Sequence, residues 1–206
     1  MQDASGSLII GVFGLAAAFV LAFIFTWFGG GVKNTDENVS VESAPSATVD
    51  MKNGDHVVYA PIKGTVKDIK DVDDKIFSQE LIGKGVAIEP VIGKVYAPMD
   101  GKIETMMKSN HAIGIISNEG VECLIHVGLD TVNLEGKYYT AHVKQDQEVK
   151  KGDLLLEFDI DQIKAAGYDL ITPIIITNTS DFAQVAVMKT GACEVGDGLL
   201  TLKGEN

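Results

Sequence analysis

Hydrophobic positions along the chain fall into two regimes. From Leu8 to Phe28 they form an almost unbroken run, and no charged residue lies between Asp3 and Lys33. At about 1.5 Å of rise per residue, a helix of this length covers the roughly 30 Å hydrocarbon core of a bilayer, so residues 1–32 predict a transmembrane helix. The competing reading, a cleavable signal peptide, needs a basic start and a shorter apolar core. The flank here is Met1-Gln2-Asp3-Ala4-Ser5, and the run is too long. Gly29-Gly30-Gly31 breaks the helix, and residues 33–54, rich in Ser, Asn, Asp, Glu and small side chains, read as a flexible linker. From Asp55 onward short apolar runs alternate with Gly, Pro, Asn and Asp. His56–Ala60, Gly85–Glu89, Val121–His126, Leu154–Phe158 and Ile174–Thr177 read as strands. One short helix is expected over Asp161–Ala166, ended by Gly167. Residues 55–206 therefore predict an all-β domain, an antiparallel sandwich or a barrel.

Within that domain Val58-Tyr-Ala-Pro-Ile-Lys-Gly64 recurs as Val95-Tyr-Ala-Pro-Met-Asp-Gly101, 37 residues later. Proline ends one strand and glycine starts the next, so the echo reads as a repeated hairpin that builds the sheet. Lys33 is the one base near either end of the apolar run, which places the β domain on the cytoplasmic side of the membrane. A lone helix with no basic start has the look of the tail of a larger membrane domain or of a stand-alone anchor.

Charge narrows the partners. The 206 residues carry a formal charge of −12, and all 17 bases are lysine, since the sequence contains no arginine. Such a chain is poorly suited to nucleic-acid phosphates and better suited to a basic partner protein. Cys123 and Cys193 lie 70 residues apart without CxxC spacing, which argues against a disulfide framework or a cysteine zinc site.

Among the four histidines, His56 beside an acidic turn and His142 in Tyr138–Val143 read as structural. His111 stands at the entry to an apolar strand and His126 at the exit of another. Alternation puts Leu124 and His126 on one face of their strand and Cys123 and Ile125 on the other, which disfavours a Cys–His nucleophile pair. Spacing alone leaves open whether the two histidines work together.

At these residues the chain resembles a known family. Val121–Thr131, VECLIHVGLDT, is similar to the active-site strand of the glucose-family enzyme IIA domain of the bacterial sugar phosphotransferase system. Ser109-Asn-His111-Ala resembles its second histidine segment. Ala97-Pro98-Met-Asp-Gly101, Lys84-Gly85-Val-Ala-Ile88 and Val149-Lys-Lys-Gly-Asp153 match as well, over roughly residues 55–202. Tyr138–Val143 and Ala166–Asp169 lean toward the β-glucoside-type branch, in which the IIA domain follows a membrane IIC domain. The resemblance implies an antiparallel β-sandwich, with His126 as the phosphorylated histidine and His111 as its partner. It implies Asp130 as a carboxylate at the rim and Ser109 as a hydroxyl residue beside the site. It further implies docking through Phe77, Met107, Ile113 and Leu124, the last three standing where the family often carries aromatics.

The chemistry so implied is transfer of a phosphoryl group from the phosphohistidine of the carrier HPr to Nε2 of His126, then to a cysteine of a IIB domain. His111 would donate to a phosphoryl oxygen, and the Gly128 carbonyl would hold the other ring nitrogen of His126. No cofactor is expected beyond the transient phosphohistidine, and no magnesium. The partners are HPr, IIB and IIC, with no nucleic acid, at the inner or plasma membrane. The sugar stays open, because specificity belongs to IIC; β-glucosides are the branch's expectation. Two rivals share parts of the pattern. A zinc metallopeptidase would need an HxH pair, which neither His126-Val-Gly nor His142-Val-Lys supplies. A biotinyl or lipoyl carrier would need a displayed lysine, for which Met188-Lys189-Thr190 and Asp74-Lys75-Ile76 are weak matches.

Overall fold

A computed structural model of the chain describes residues 54–204. The expected membrane helix (1–32) and all of the linker before Gly54 lie outside the described residues. Among the described residues no helix is long and apolar enough to cross a membrane.

The described residues fold as an all-β structure in which every strand pairing is antiparallel. In chain order the strands are β1 (Asp55–Tyr59), β2 (Gly64–Asp68), β3 (Lys84–Pro90), β4 (Lys94–Tyr96), β5 (Gly101–Met106), β6 (Ala112–Ser117) and β7 (Glu122–His126). They continue as β8 (Tyr139–Ala141), β9 (Glu148–Val149), β10 (Leu154–Phe158), β11 (Thr172–Ile176), β12 (Gln184–Val187), β13 (Gly191–Cys193) and β14 (Gly198–Lys203). Two short helices interrupt them, α1 (Lys75–Ser78) and α2 (Ile160–Ala165). Eight strands form the largest sheet, in the order β13-β2-β3-β11-β7-β6-β5-β9, beside three-stranded sheets β1-β14-β12 and β4-β10-β8.

The large sheet is buried on both faces in its middle, which is why β11 reads Thr-Pro-Ile-Ile-Ile rather than alternating. Paired residues share a face, so register sorts them. Ile174, Ile125 and Ile113 form one row and Ile176, Cys123 and Ile115 another, all facing the main core. Each such buried aliphatic side chain contributes about 1.5–3 kcal/mol. The opposite row is Ile175, Leu124 and Gly114. That outer face is where His126 stands, two residues beyond Leu124.

The sequence echo is one half of a duplicated unit. Tyr59 N–H donates to Pro98 O (3.1 Å) and Tyr96 N–H to Pro61 O (2.8 Å), so the two copies bond each other reciprocally. Each copy also grips a Gly-Asp turn: Ala60 N–H donates to Asp197 O (2.7 Å), and Ala97 N–H to Asp153 O (2.8 Å). Gly64 and Gly101 start the following strands against a neighbouring backbone. A Cβ there would stand 2.2 Å from the carbonyl oxygen of Glu89 or of Ile116, so no other residue fits.

Candidate active site

His126 is the last residue of β7, and His111 immediately precedes β6. The β6–β7 register pairs Ala112 with His126, and Val127 N–H donates to His111 O (2.7 Å), extending the ladder one step past the strands. Sheet register thus brings together two rings separated by 15 positions in sequence. Their centroids are 4.8 Å apart at 80°, and the residues are only 3% (His111) and 2% (His126) exposed. Cys123 points to the core face, and burial pushes its thiol up to about 12, so it offers no thiolate here.

The protonation of His126 follows from a turn. Its Nδ1 lies 2.8 Å from Gly128 O. A carbonyl only accepts, so Nδ1 carries the proton and Nε2 carries the lone pair. Gly128 reaches this position with φ +79°, where a Cβ would lie 2.7 Å from both Asp169 O and Thr131 Cγ2. The peptide before it is held too: Val127 O accepts from Thr131 Oγ1 (2.7 Å) and from Tyr139 Oη (3.1 Å). On the other ring, Ser109 Oγ lies 2.7 Å from His111 Nδ1. A hydroxyl can donate or accept, so this contact orients His111 without fixing its tautomer.

Burial makes both imidazoles hard to protonate. Desolvation lowers His111 to about 3, with neighbouring His126 adding to the effect. Desolvation likewise lowers His126 to about 4, opposed by the Gly128 carbonyl and by the carboxylates of Asp74 and Asp130. Both rings are therefore neutral at pH 7. Asp130 holds its position with φ +56° at the start of a 3-10 turn. Asp74 is the N-cap of α1, accepting from Ile76 N–H (2.7 Å) and, longer, Phe77 N–H (3.4 Å). The helix it caps lays Phe77 against His126, centroids 5.2 Å apart.

The expected docking side chains divide. Ile113 is fully buried on the core face in register with Ile125, so it cannot meet a partner; the parity of β6 gives the outward position to Ala112 instead. Leu124 shares the face of His126 and Phe77 packs on its ring, but each is 2% exposed, so they floor the site rather than display it. Met107 is half-buried, just beyond β5. One residue escaped the sequence reading: Asp74, whose carboxylate acts on His126. An Asp three residues before Phe77 is an N-cap signal that would have flagged it.

The other histidines lie apart. His56 is in β1 with its ring 6.0 Å from Phe182, and His142 Nε2 contacts Glu157 Oε2 at 2.8 Å. Among the described residues no three His, Cys, Asp or Glu side chains converge as a metal site. Lys75 lies within α1 and Lys189 is ion-paired to Asp197 (2.9 Å), so neither is a carrier lysine on a free hairpin tip.

A family model described as phosphoenolpyruvate-dependent sugar phosphotransferase system, EIIA 1, matches residues 56–182. The chain is 43% identical over 189 residues to the PTS system beta-glucoside-specific EIIBCA component of Bacillus subtilis (strain 168), covering 92% of this chain and 29% of the relative. It is 40% identical over 195 residues to the component of the same description from Dickeya chrysanthemi, covering 93% and 31%. Among solved structures, glucose permease IIA from Mycoplasma capricolum superposes with a TM-score of 0.69 at 36% identity, covering 72% of this chain and 96% of that one. The chain spans about three tenths of the length of these curated relatives.

Proposed function

The chain belongs to the EIIA 1 family of the phosphoenolpyruvate-dependent sugar phosphotransferase system, and we propose that its β domain carries a phosphoryl group on His126 between HPr and a IIB cysteine. The observation that supports this most directly is the Nδ1–Gly128 contact, which leaves Nε2 as the nucleophilic nitrogen of a neutral ring. In the forward step Nε2 forms a P–N bond as the donor's P–N bond breaks, and the Nδ1 proton stays in place. In the next step a IIB thiolate takes the phosphoryl group and His126 returns to its neutral form. His111, oriented by Ser109, donates to a phosphoryl oxygen during both transfers.

Docking follows from charge and shape. Asp74 and Asp130 put two carboxylates beside His126, and a chain without arginine must obtain guanidinium stabilisation from its partner. Met107 adds apolar contact beside the floor made by Phe77 and Leu124. Association with a basic partner face therefore weakens as ionic strength rises. We read the three sheets as the sandwich of glucose-type EIIA domains, residues 1–32 as a membrane segment and the β domain as cytoplasmic. β-Glucosides are the sugar class, delivered through IIB and IIC partners of the kind joined to EIIA in the relatives.

The test is to incubate the chain with radiolabelled phospho-HPr. Wild type gains an acid-labile, base-stable label, His126→Gln gains none, and His111→Gln is labelled but passes the label on slowly. A wild-type chain that never takes up label overturns the assignment.

A further inference from the structure

The histidine site leaves unexplained a cleft of about 750 Å³, which touches that site's surroundings through Tyr139, whose hydroxyl bonds Val127 O. Its walls are the β3–β4 turn, the approach to β8, and the end of β10 running into α2. Three apolar side chains stand open there: Val91 is 58% exposed, Ile92 37% and Tyr138 37%. Connecting residues are ordinarily small or polar, whereas Val91-Ile92, in the link that carries the chain from β3 in one sheet to β4 in another, keeps apolar surface in water.

Tyr138 adds a second, independent observation. It sits at φ +70°, a left-handed conformation that costs a bulky residue about 1–2 kcal/mol. The strain is held in place because Tyr138 O accepts from Asp159 N–H (2.9 Å), across the cleft's own wall. A glycine would relieve it, yet an aromatic ring is displayed at the cleft instead.

The rim defines the occupant's charge. Glu157, Asp159 and Asp161 line the cleft with a single base, Lys94, which is already paired to Glu157 at 2.9 Å. Asp159 caps α2, accepting from Gln162 N–H at 3.0 Å, and neither it nor Asp161 is ion-paired among the described residues. An acidic rim around the exposed Val91, Ile92 and Tyr138 repels anionic lipid, free phosphate, nucleic acid and a second copy of itself. It suits a protein segment that presents an apolar side chain flanked by lysine or arginine.

The relatives indicate where such a segment comes from. They are EIIBCA components of which this chain spans about three tenths, so the EIIA domain works beside a larger EIIBC portion. We propose that the cleft is where that EIIBC portion grips the EIIA domain, leaving His126 free to turn between donor and acceptor. This rests on the phosphoryl-carrier reading for its choice of partner.

The probe is the EIIBC portion of the Bacillus subtilis relative, purified in lipid nanodiscs, and direct binding of the unphosphorylated chain is measured first. Tyr138→Gly removes the ring and relieves the strain, so it folds at least as well as wild type. Ile92→Ser removes apolar contact, and Asp161→Lys inverts the rim charge. Each weakens binding by about tenfold or more, with a reduced salt dependence in Asp161→Lys, while label uptake from phospho-HPr stays within about twofold of wild type. Unchanged binding in all three variants, or wild-type binding abolished by His126-site variants alone, overturns the proposal. Failure of uptake in the wild type would instead remove the carrier reading, whatever the binding result.

Discussion

Lowering the pH protonates the histidines of the unfolded chain near 6.5, but not His111 and His126 while the fold keeps them buried and held near about 3 and about 4. Between those values the unfolded state binds more protons than the folded one, so stability falls as the pH falls. The contribution is complete above about pH 6.5 and stops being lost only below the folded values. Each ring supplies a slope of up to about 1.4 kcal/mol per pH unit, hence about 2.5 kcal/mol per unit for the pair around pH 5. Glu104 and Glu122 act in the opposite sense, because burial raises their carboxyls. The readout is therefore the difference between wild type and single variants. Urea unfolding at a series of pH values between about 7 and 5 should give His111→Gln and His126→Gln slopes each about 1 kcal/mol per unit shallower than wild type. Imidazole ¹⁵N spectra should show His126 as the Nδ1–H tautomer throughout, and label uptake should not fall from protonation of His126 in this range. Slopes identical in wild type and variants, or either ring titrating near 6.5, would refute the burial argument.

Three further outcomes follow from the contacts around the rings. Gly128→Ala places a methyl 2.7 Å from Asp169 O at φ +79°, and should cost about 2 kcal/mol in urea unfolding and abolish most label uptake. Thr131→Val and Tyr139→Phe each remove one of the two hydroxyls on Val127 O, costing about 1 kcal/mol; ¹⁵N spectra should show the Nε2–H tautomer of His126 gaining population in Thr131→Val. Asp74→Asn keeps the α1 cap while deleting its charge, so melting is unchanged but the salt dependence of transfer is reduced; Asp74→Ala also loses about 1 kcal/mol of stability.

Legibility in the sequence tracked the range of the interactions involved. Leu154–Phe158 was readable to the residue because a run apolar at every position but Glu157, bounded by turns, is a local signal. Strand β11 begins two residues earlier than expected, at Thr172, because Pro173 argues against a strand. The structure admits it because pairing with β7 starts only at Ile174, so the missing N–H has no ladder partner to lose. Helix α1 spans four residues, too few to show a period, and is held by its cap and by packing of Phe77. The echo at Val58 and Val95 was visible, but its other half was not. The turns ending in Gly152-Asp153 and Gly196-Asp197 share little beyond those two residues, and their equivalence appears only through matching bonds to Ala97 and Ala60. Ile113 was misplaced for a related reason: its face depends on the register of β6 against β7, which no single-strand pattern contains.

That register also decides which readouts can diagnose the site. Ile125 and Cys123 secure β7 from the core side, and Ile113 and Ile115 secure β6, so the spacing of His126 and His111 is set by the ladder and its continuation through Val127 N–H. The polar contacts on the other side act on a different variable. Gly128 O chooses which ring nitrogen of His126 bears the proton, and Ser109 orients His111, without either contact carrying the strands. Losing one of them therefore changes the protonation and alignment of rings that stay where they are. Thermal stability alone would miss that change, whereas tautomer populations and the rate of phosphoryl uptake respond to it directly.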